Sequence, residues 1–187
     1  MAAKSIFVPR ILAEGGVVLG LATALSLIKL FAAPFGGSVT PGSMVPIILL
    51  AMIRGPVVGT TVGVVYGFLQ FILGPWFLTP LQFLLDYPFA FGALGLAGFF
   101  WRPAMTKNTS WTGRYFFSII AVFFAIGGRF LSHFFAGVFF WGHYAPEGQS
   151  VWLYSLVYNG GYLGVEFLIS AALTWFLTPS LGRLIKP

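Results

Sequence analysis

An all-α membrane protein of six helices is the fold this sequence predicts, on three observations. Of the 187 residues, 58% are hydrophobic and only 7% are charged, against about 25% charged in a soluble domain. So few charges cannot coat a water-facing surface, whereas long apolar stretches can face lipid. The apolar residues fall into six stretches, five of them at or near the ~20 residues a helix needs to cross a bilayer. The basic residues lie mostly between those stretches and on one side of them.

The first span is expected from Ile11 to Phe31, followed by a glycine-rich loop, Pro34 to Gly42. Met44 to Ile53 is apolar but too short to span. It is expected to be a short, tilted or broken helix, which is tolerated when buried against protein. Arg54-Gly55-Pro56 breaks the pattern and a third span runs from Val57 to Leu73, ended by Gly74-Pro75. Leu81 to Trp101 forms the fourth. The polar stretch Arg102 to Arg114 separates it from the fifth, Tyr115 to Trp141, and Gly142 to Ser150 leads into the sixth, Val151 to Leu177. No composition shift divides the chain, so residues 1–187 read as one integral membrane domain.

Charge predicts the direction of insertion. Lys4, Arg10, Arg54, Arg102, Lys107, Arg114, Arg183 and Lys186 fall on one side of a six-span arrangement. The positive-inside rule makes that side cytoplasmic and holds both termini there. It also accounts for the +6 net charge without a nucleic-acid partner. Lys29 lies near the outer side and Arg129 within the fifth span. There is no cysteine, hence no disulfide or thiolate metal site. No signal peptide is expected, because the first apolar stretch is long and lacks a small-residue cleavage site.

Small residues mark where helices can approach closely. Gly16 and Gly20 stand four apart on the first span, and Gly59, Gly63 and Gly67 repeat the spacing on the third. Internal packing explains such pairs in general. Gly16–Gly20 is the better candidate for docking a partner membrane protein.

The polar and aromatic residues gather towards the outer side. Tyr66 and Gln70 share a face of the third span, and Gln82 and Asp86 a face of the fourth, next to Trp76 and Tyr87. Arg129 and His133 share a face of the fifth, which leads to Trp141, His143, Tyr144 and Glu147. Tyr154, Tyr158 and a stripe of Ser155, Asn159, Tyr162 and Glu166 open the sixth. Trp76, Trp111 and Trp152 also suit an interfacial belt, and Arg129 suits a structural pair with Asp86 or Glu166. An ionisable side chain inside a span is costly and is usually turned inward for function. Asp86 is the clearest case.

Four helices thus aim polar groups at one pocket suited to a cationic or hydrogen-bonding heteroaromatic ligand. Aromatic faces attract cations and stack on flat rings, and a carboxylate accepts hydrogen bonds and balances positive charge. The sequence has no Walker A, HExxH or GxSxG motif, so it carries no recognisable ATPase or hydrolase chemistry. The two histidines are not spaced as a metal pair, and neither a metal nor a cofactor is expected.

The blocks GGSVTPGSMVPIILLAMIRGP (36–56), LQFLLDYPFAFGALGLAG (81–98), RFLSHFFAGVFFWGHYAPEG (129–148) and LYSLVYNGGYL (153–163) resemble the thiamine-specific S components of energy-coupling factor transporters. The resemblance covers nearly the whole chain. It implies a six-helix, substrate-binding subunit of the cell membrane that takes thiamine from outside. It implies partners too: a membrane coupling protein and two cytoplasmic ATPases. Asp86 matches a carboxylate that is glutamate in some members and Tyr87 follows it, while His133, Trp141, Tyr154 and Asn159 match ligand contacts. Gly16 and Gly20 match the pair that meets the coupling protein. One departure stands out. Some members carry a tryptophan near Gly37, where this chain has Phe35-Gly36-Gly37-Ser38, and Phe35 is a candidate substitute. Two rivals remain at this level: an S component for another vitamin or precursor, and an intramembrane enzyme using Asp86, His133 and Glu166 as acid–base groups.

Overall fold

The computed structural model describes residues 9–104 and 109–184, the side chains of 101–104 and 181–184 excepted. Lys4, Lys107 and Lys186, and the side chains of Arg102 and Arg183, therefore lie outside the described residues. Six helices form a bundle: α1 (Pro9–Leu27), α2 (Val45–Arg54), α3 (Pro56–Leu73), α4 (residues 80–104), α5 (Trp111–Phe140) and α6 (Val151–Leu184). All but α2 are long and apolar enough to cross a membrane.

The short helix is the most buried. Seven of the ten residues of α2 are buried, and Ile47, Ile48, Ala51 and Met52, with Met44 just before the helix, are fully enclosed. It forms the core that α1, α3, α4 and α6 surround. By contrast α1 buries only Gly15 and Ala22, while Leu12, Val17 and Leu21 stay exposed. Gly16 and Gly20 have open space where a side chain would project.

Three boundaries differ from expectation. The fifth helix begins at Trp111 rather than Tyr115, where the Ser110 side chain accepts from the Gly113 amide and caps it. The first helix stops at Leu27 because the chain turns into a two-stranded hairpin, β1 (Phe31–Ala32) and β2 (Ser38–Val39), whose ladder takes the backbone groups a longer helix would have used. The last helix continues past Leu177 through Pro179. The Thr178 hydroxyl donates to the Thr174 carbonyl beside it. Such side-chain bonding, with neighbouring helices, lets a membrane helix tolerate proline.

The glycines of α3 set the α3–α4 distance. A Cβ at Gly63 would lie 2.2 Å from the Phe91 carbonyl oxygen, and one at Gly67 would lie 2.6 Å from that of Tyr87. The α4 segment is itself irregular. Pro88 cannot donate a helical hydrogen bond, and the turn Leu85–Phe89 widens around it before a tighter turn at Ala93–Leu96. Wide turns of this kind recur at functional sites. Thr79 starts the helix by accepting from the Gln82 amide, with Pro80 at the first position.

At the end away from the hairpin, Arg54 grips Glu14 with Nε on Oε2 at 2.7 Å and a second nitrogen on Oε1, and Arg10 adds a bond at 3.1 Å. This ties α1 to the α2–α3 corner.

Gly67→Val is expected to destabilise the protein by about 1–3 kcal/mol through overpacking against backbone, measured by thermal unfolding in detergent. Gly16→Leu, which meets open space, is expected to leave the same melting curve unchanged.

Candidate functional site

The end of the bundle that carries the hairpin encloses a cavity of about 320 Å³, within the roughly 300–1,000 Å³ typical of small-molecule sites. All eleven residues assigned to a pocket from sequence line it: Tyr66, Gln70, Trp76, Asp86, Tyr87, His133, Trp141, Tyr144, Tyr154, Tyr158 and Asn159. Ser26, Phe35, Thr40, Ser43, Arg129, Tyr162 and Glu166 border it as well. A larger groove of about 580 Å³ lies along α5 and α6, but phenylalanine, leucine, isoleucine and glycine line it. It has no group that could orient a polar ligand.

The polar wall is organised around Asp86, which the wide turn of α4 presents to α5. Its Oδ1 accepts from His133 Nδ1 at 3.0 Å. Its Oδ2 accepts from Gln82 Nε2 at 2.7 Å and from the Trp141 indole at 2.9 Å. Gln82, fully buried, also donates to the Trp76 carbonyl and accepts from the Leu78 amide. Arg129 Nε donates to His133 Nε2 at 3.3 Å, so His133 carries its proton on Nδ1 and stands as the neutral imidazole. Most of the carboxylate and of the imidazole is shielded, with 15% of Asp86 and 13% of His133 exposed. A negative charge is thereby fixed in a shielded wall.

Arg129 does not make the structural pair with Asp86 or Glu166 that is one of its two readings from sequence. Its other described bond goes to the Met44 thioether, and its guanidinium lies 4.3 Å from the centre of the Phe91 ring. Asp86 is already held by three other donors, and Glu166 is turned to a different task. Its Oε1 accepts from both the backbone amide and the hydroxyl of Thr40, at 2.7 and 2.8 Å.

Aromatic rings supply the remaining walls. Trp76 and Trp141 meet edge to face with centroids 5.7 Å apart, and Tyr154 stacks with Tyr158 at 5.8 Å. The Tyr87 hydroxyl accepts from the Trp76 amide and donates to the Gly74 carbonyl, which holds the α3–α4 loop over the cavity. On α6, Asn159 donates to Ser155 and accepts from Tyr162.

The segment between α1 and α2 covers the cavity. The Tyr158 hydroxyl accepts from the Gly37 amide at 3.0 Å and donates to the Pro34 carbonyl. Phe35 adopts a left-handed backbone, φ 62°, and stacks on Tyr144 with centroids 4.0 Å apart. A left-handed non-glycine residue is strained, and the stack holds it there. A Cβ at Gly37 would come within 2.9 Å of Tyr158 and Tyr162. The aromatic group of this segment is therefore carried at Phe35, and position 37 is filled by backbone alone. Thr40 and Ser43 escaped the sequence reading because they lie in a segment whose glycines and prolines read only as loop. The Thr-Pro pair followed by Ser at 43 was the available signal.

A bundle of membrane-length helices around an enclosed aromatic pocket with a fixed carboxylate defines a multi-pass membrane protein built to hold a small molecule. Comparison with known proteins makes this more particular. Residues 12–186 match the family model described as Thiamine transporter protein (Thia_YuaJ). The thiamine transporter ThiT of Bacillus subtilis is 35% identical over 179 residues, covering 94% of this chain and 91% of that protein. ThiT of Lacticaseibacillus paracasei is 42% identical over 127 residues, covering 63% and 62%. A solved structure of ThiT from Listeria monocytogenes superposes with a TM-score of 0.83 at 27% identity, over 95% of this chain and 98% of that one. The chain belongs to the thiamine transporter protein family.

Tyr158→Phe removes both bonds that hold the 34–37 segment, each worth roughly 1 kcal/mol. Amide exchange at Gly37 is expected to accelerate by about tenfold or more, measured by hydrogen–deuterium exchange.

Proposed function

We propose that this chain is the thiamine-capturing S component of an energy-coupling factor transporter. Family membership supports thiamine as the ligand, and one feature of the site carries the chemistry. Asp86 is a shielded carboxylate held in place by three donors and bordered by aromatic rings. That is the complement of a flat, positively charged heteroaromatic molecule. Because its oxygens are engaged, Asp86 acts mainly as a fixed charge opposite the thiazolium, while Trp141 and Tyr154 offer faces for the rings. His133, Tyr87, Tyr144, Tyr158 and Asn159 shape the walls, with Tyr66, Gln70 and Trp76 closing the far side.

The direction of capture follows from charge. Arg10, Arg54 and Arg114 stand at the end opposite the cavity, which the positive-inside rule makes cytoplasmic. The cavity then faces outside. The energy comes from elsewhere, since the chain has no nucleotide-binding motif. A membrane coupling protein and two cytoplasmic ATPases are the partners the family resemblance implies. The open face of α1 around Gly16 and Gly20 is the surface offered for docking.

The enzymatic reading is weaker. His133 is committed at both ring nitrogens and Asp86 at both oxygens, so of the three groups only Glu166 keeps a free oxygen, and among the described residues it has no acid–base partner beside it. The relatives in Bacillus subtilis and Lacticaseibacillus paracasei are named as transporters.

Calorimetry on the purified protein is expected to give one thiamine bound per chain. Asp86→Ala is expected to weaken binding by about a hundredfold or more, since it removes the charge and leaves three donors unpaired. Mass spectrometry of the ligand co-purified from cells is expected to return intact thiamine; a different vitamin or a precursor there would reassign the substrate. Gly16→Leu is expected to leave thiamine binding unchanged and to abolish uptake in cells. Unaltered uptake would remove α1 from the docking role.

A further inference from the structure

Most polar groups around the cavity are already spoken for within the protein. Both Asp86 oxygens accept bonds, both Asn159 amide atoms are engaged, and the Tyr87 and Tyr158 hydroxyls each accept one bond and donate another. Glu166 is the exception among the buried groups. It borders the cavity and is 1% exposed. Its Oε1 is held twice by Thr40, yet its Oε2 has no hydrogen-bond partner. Among the described residues it is the one buried, unpartnered side-chain oxygen or nitrogen that belongs to a residue lining this cavity.

A buried carboxylate oxygen left unpaired is costly, and such groups in native proteins call for a partner. A ligand that donates to it relieves that cost, and a ligand lacking the donor does not. Sites built around a buried polar group discriminate strongly for this reason. Asp86 stands as the fixed charge on the α4–α5 wall, and Glu166 stands on α6, beneath the loop segment. A ligand with a cationic ring and a ring amine has two ends, and the two carboxylates differ in the same way: one saturated, one free.

We infer that Glu166 is a further specificity-determining contact of this pocket, with Oε2 accepting a hydrogen bond from the exocyclic amine of the ligand's heteroaromatic ring. The inference rests on the thiamine reading above. Oε1 keeps its grip on Thr40, so one side chain holds both the ligand's amine and the segment that covers it.

The test uses the full chain in detergent and calorimetry with two ligands: thiamine and an analogue with hydrogen in place of the ring amine. The wild-type protein is expected to bind thiamine roughly ten- to a hundredfold more tightly than the analogue. Glu166→Gln preserves an oxygen for Thr40 but replaces the free acceptor with a donor. It is expected to lose most of that preference by weakening thiamine alone. If E166Q keeps the wild-type preference, or weakens both ligands equally, Glu166 serves only to hold Thr40 and the inference fails. If the wild-type protein binds no thiamine, the ligand reading itself fails and takes the inference with it. Glu166→Asp keeps the charge but withdraws it by one methylene. It gives the same comparison with the same expected loss if E166Q is not recovered folded.

Discussion

A carboxylate in the middle of a membrane-length helix holds an irregular piece of backbone inside the bundle. Glu166 Oε1 takes the amide and hydroxyl of Thr40, and the Thr40 oxygen in turn accepts from the hydroxyl and the amide of Ser43. Non-helical backbone at membrane depth survives only where its polar groups are satisfied by protein. This small network meets that condition. It lets α2 begin deep in the bundle, so a ten-residue helix suffices to reach the far end and can be buried on nearly every side. The space above α2, which a full-length span would occupy, is where the cavity lies.

The second wall depends on a defect in α4. Pro88 interrupts regular helical bonding, and the widened turn carries Asp86 and Tyr87. The turn is supported from outside, because the glycines of α3 bring backbone against backbone at Phe91 and Tyr87. On the inner side His133, Gln82 and Trp141 converge on one carboxylate. The carboxylate is held by the protein's own donors, and preorganisation of this kind lowers the cost of binding.

Much of this was legible in the residues. Apolar length gave the five long helices, because the bilayer imposes a length on every span. The i,i+4 pairs Gln82–Asp86 and Arg129–His133 are bonded as their spacing implied, since helix geometry alone brings such side chains together. The glycines of α3 pack internally. A Cβ at Gly16 or Gly20 would meet nothing among the described residues, a distinction their identical spacing could not make.

What the sequence by itself determined is the solvent of the protein, its helix inventory and which polar residues share a helix face. All three follow from local periodicity and composition. Only the tertiary structure decided which partner each polar group takes. Arg129 lies over Phe91 rather than against a carboxylate, Glu166 holds Thr40 across 126 residues of sequence, and the first helix yields its last turn to a hairpin. Those choices depend on distances between helices, and the distances are set by packing of small residues against backbone, which no single segment encodes.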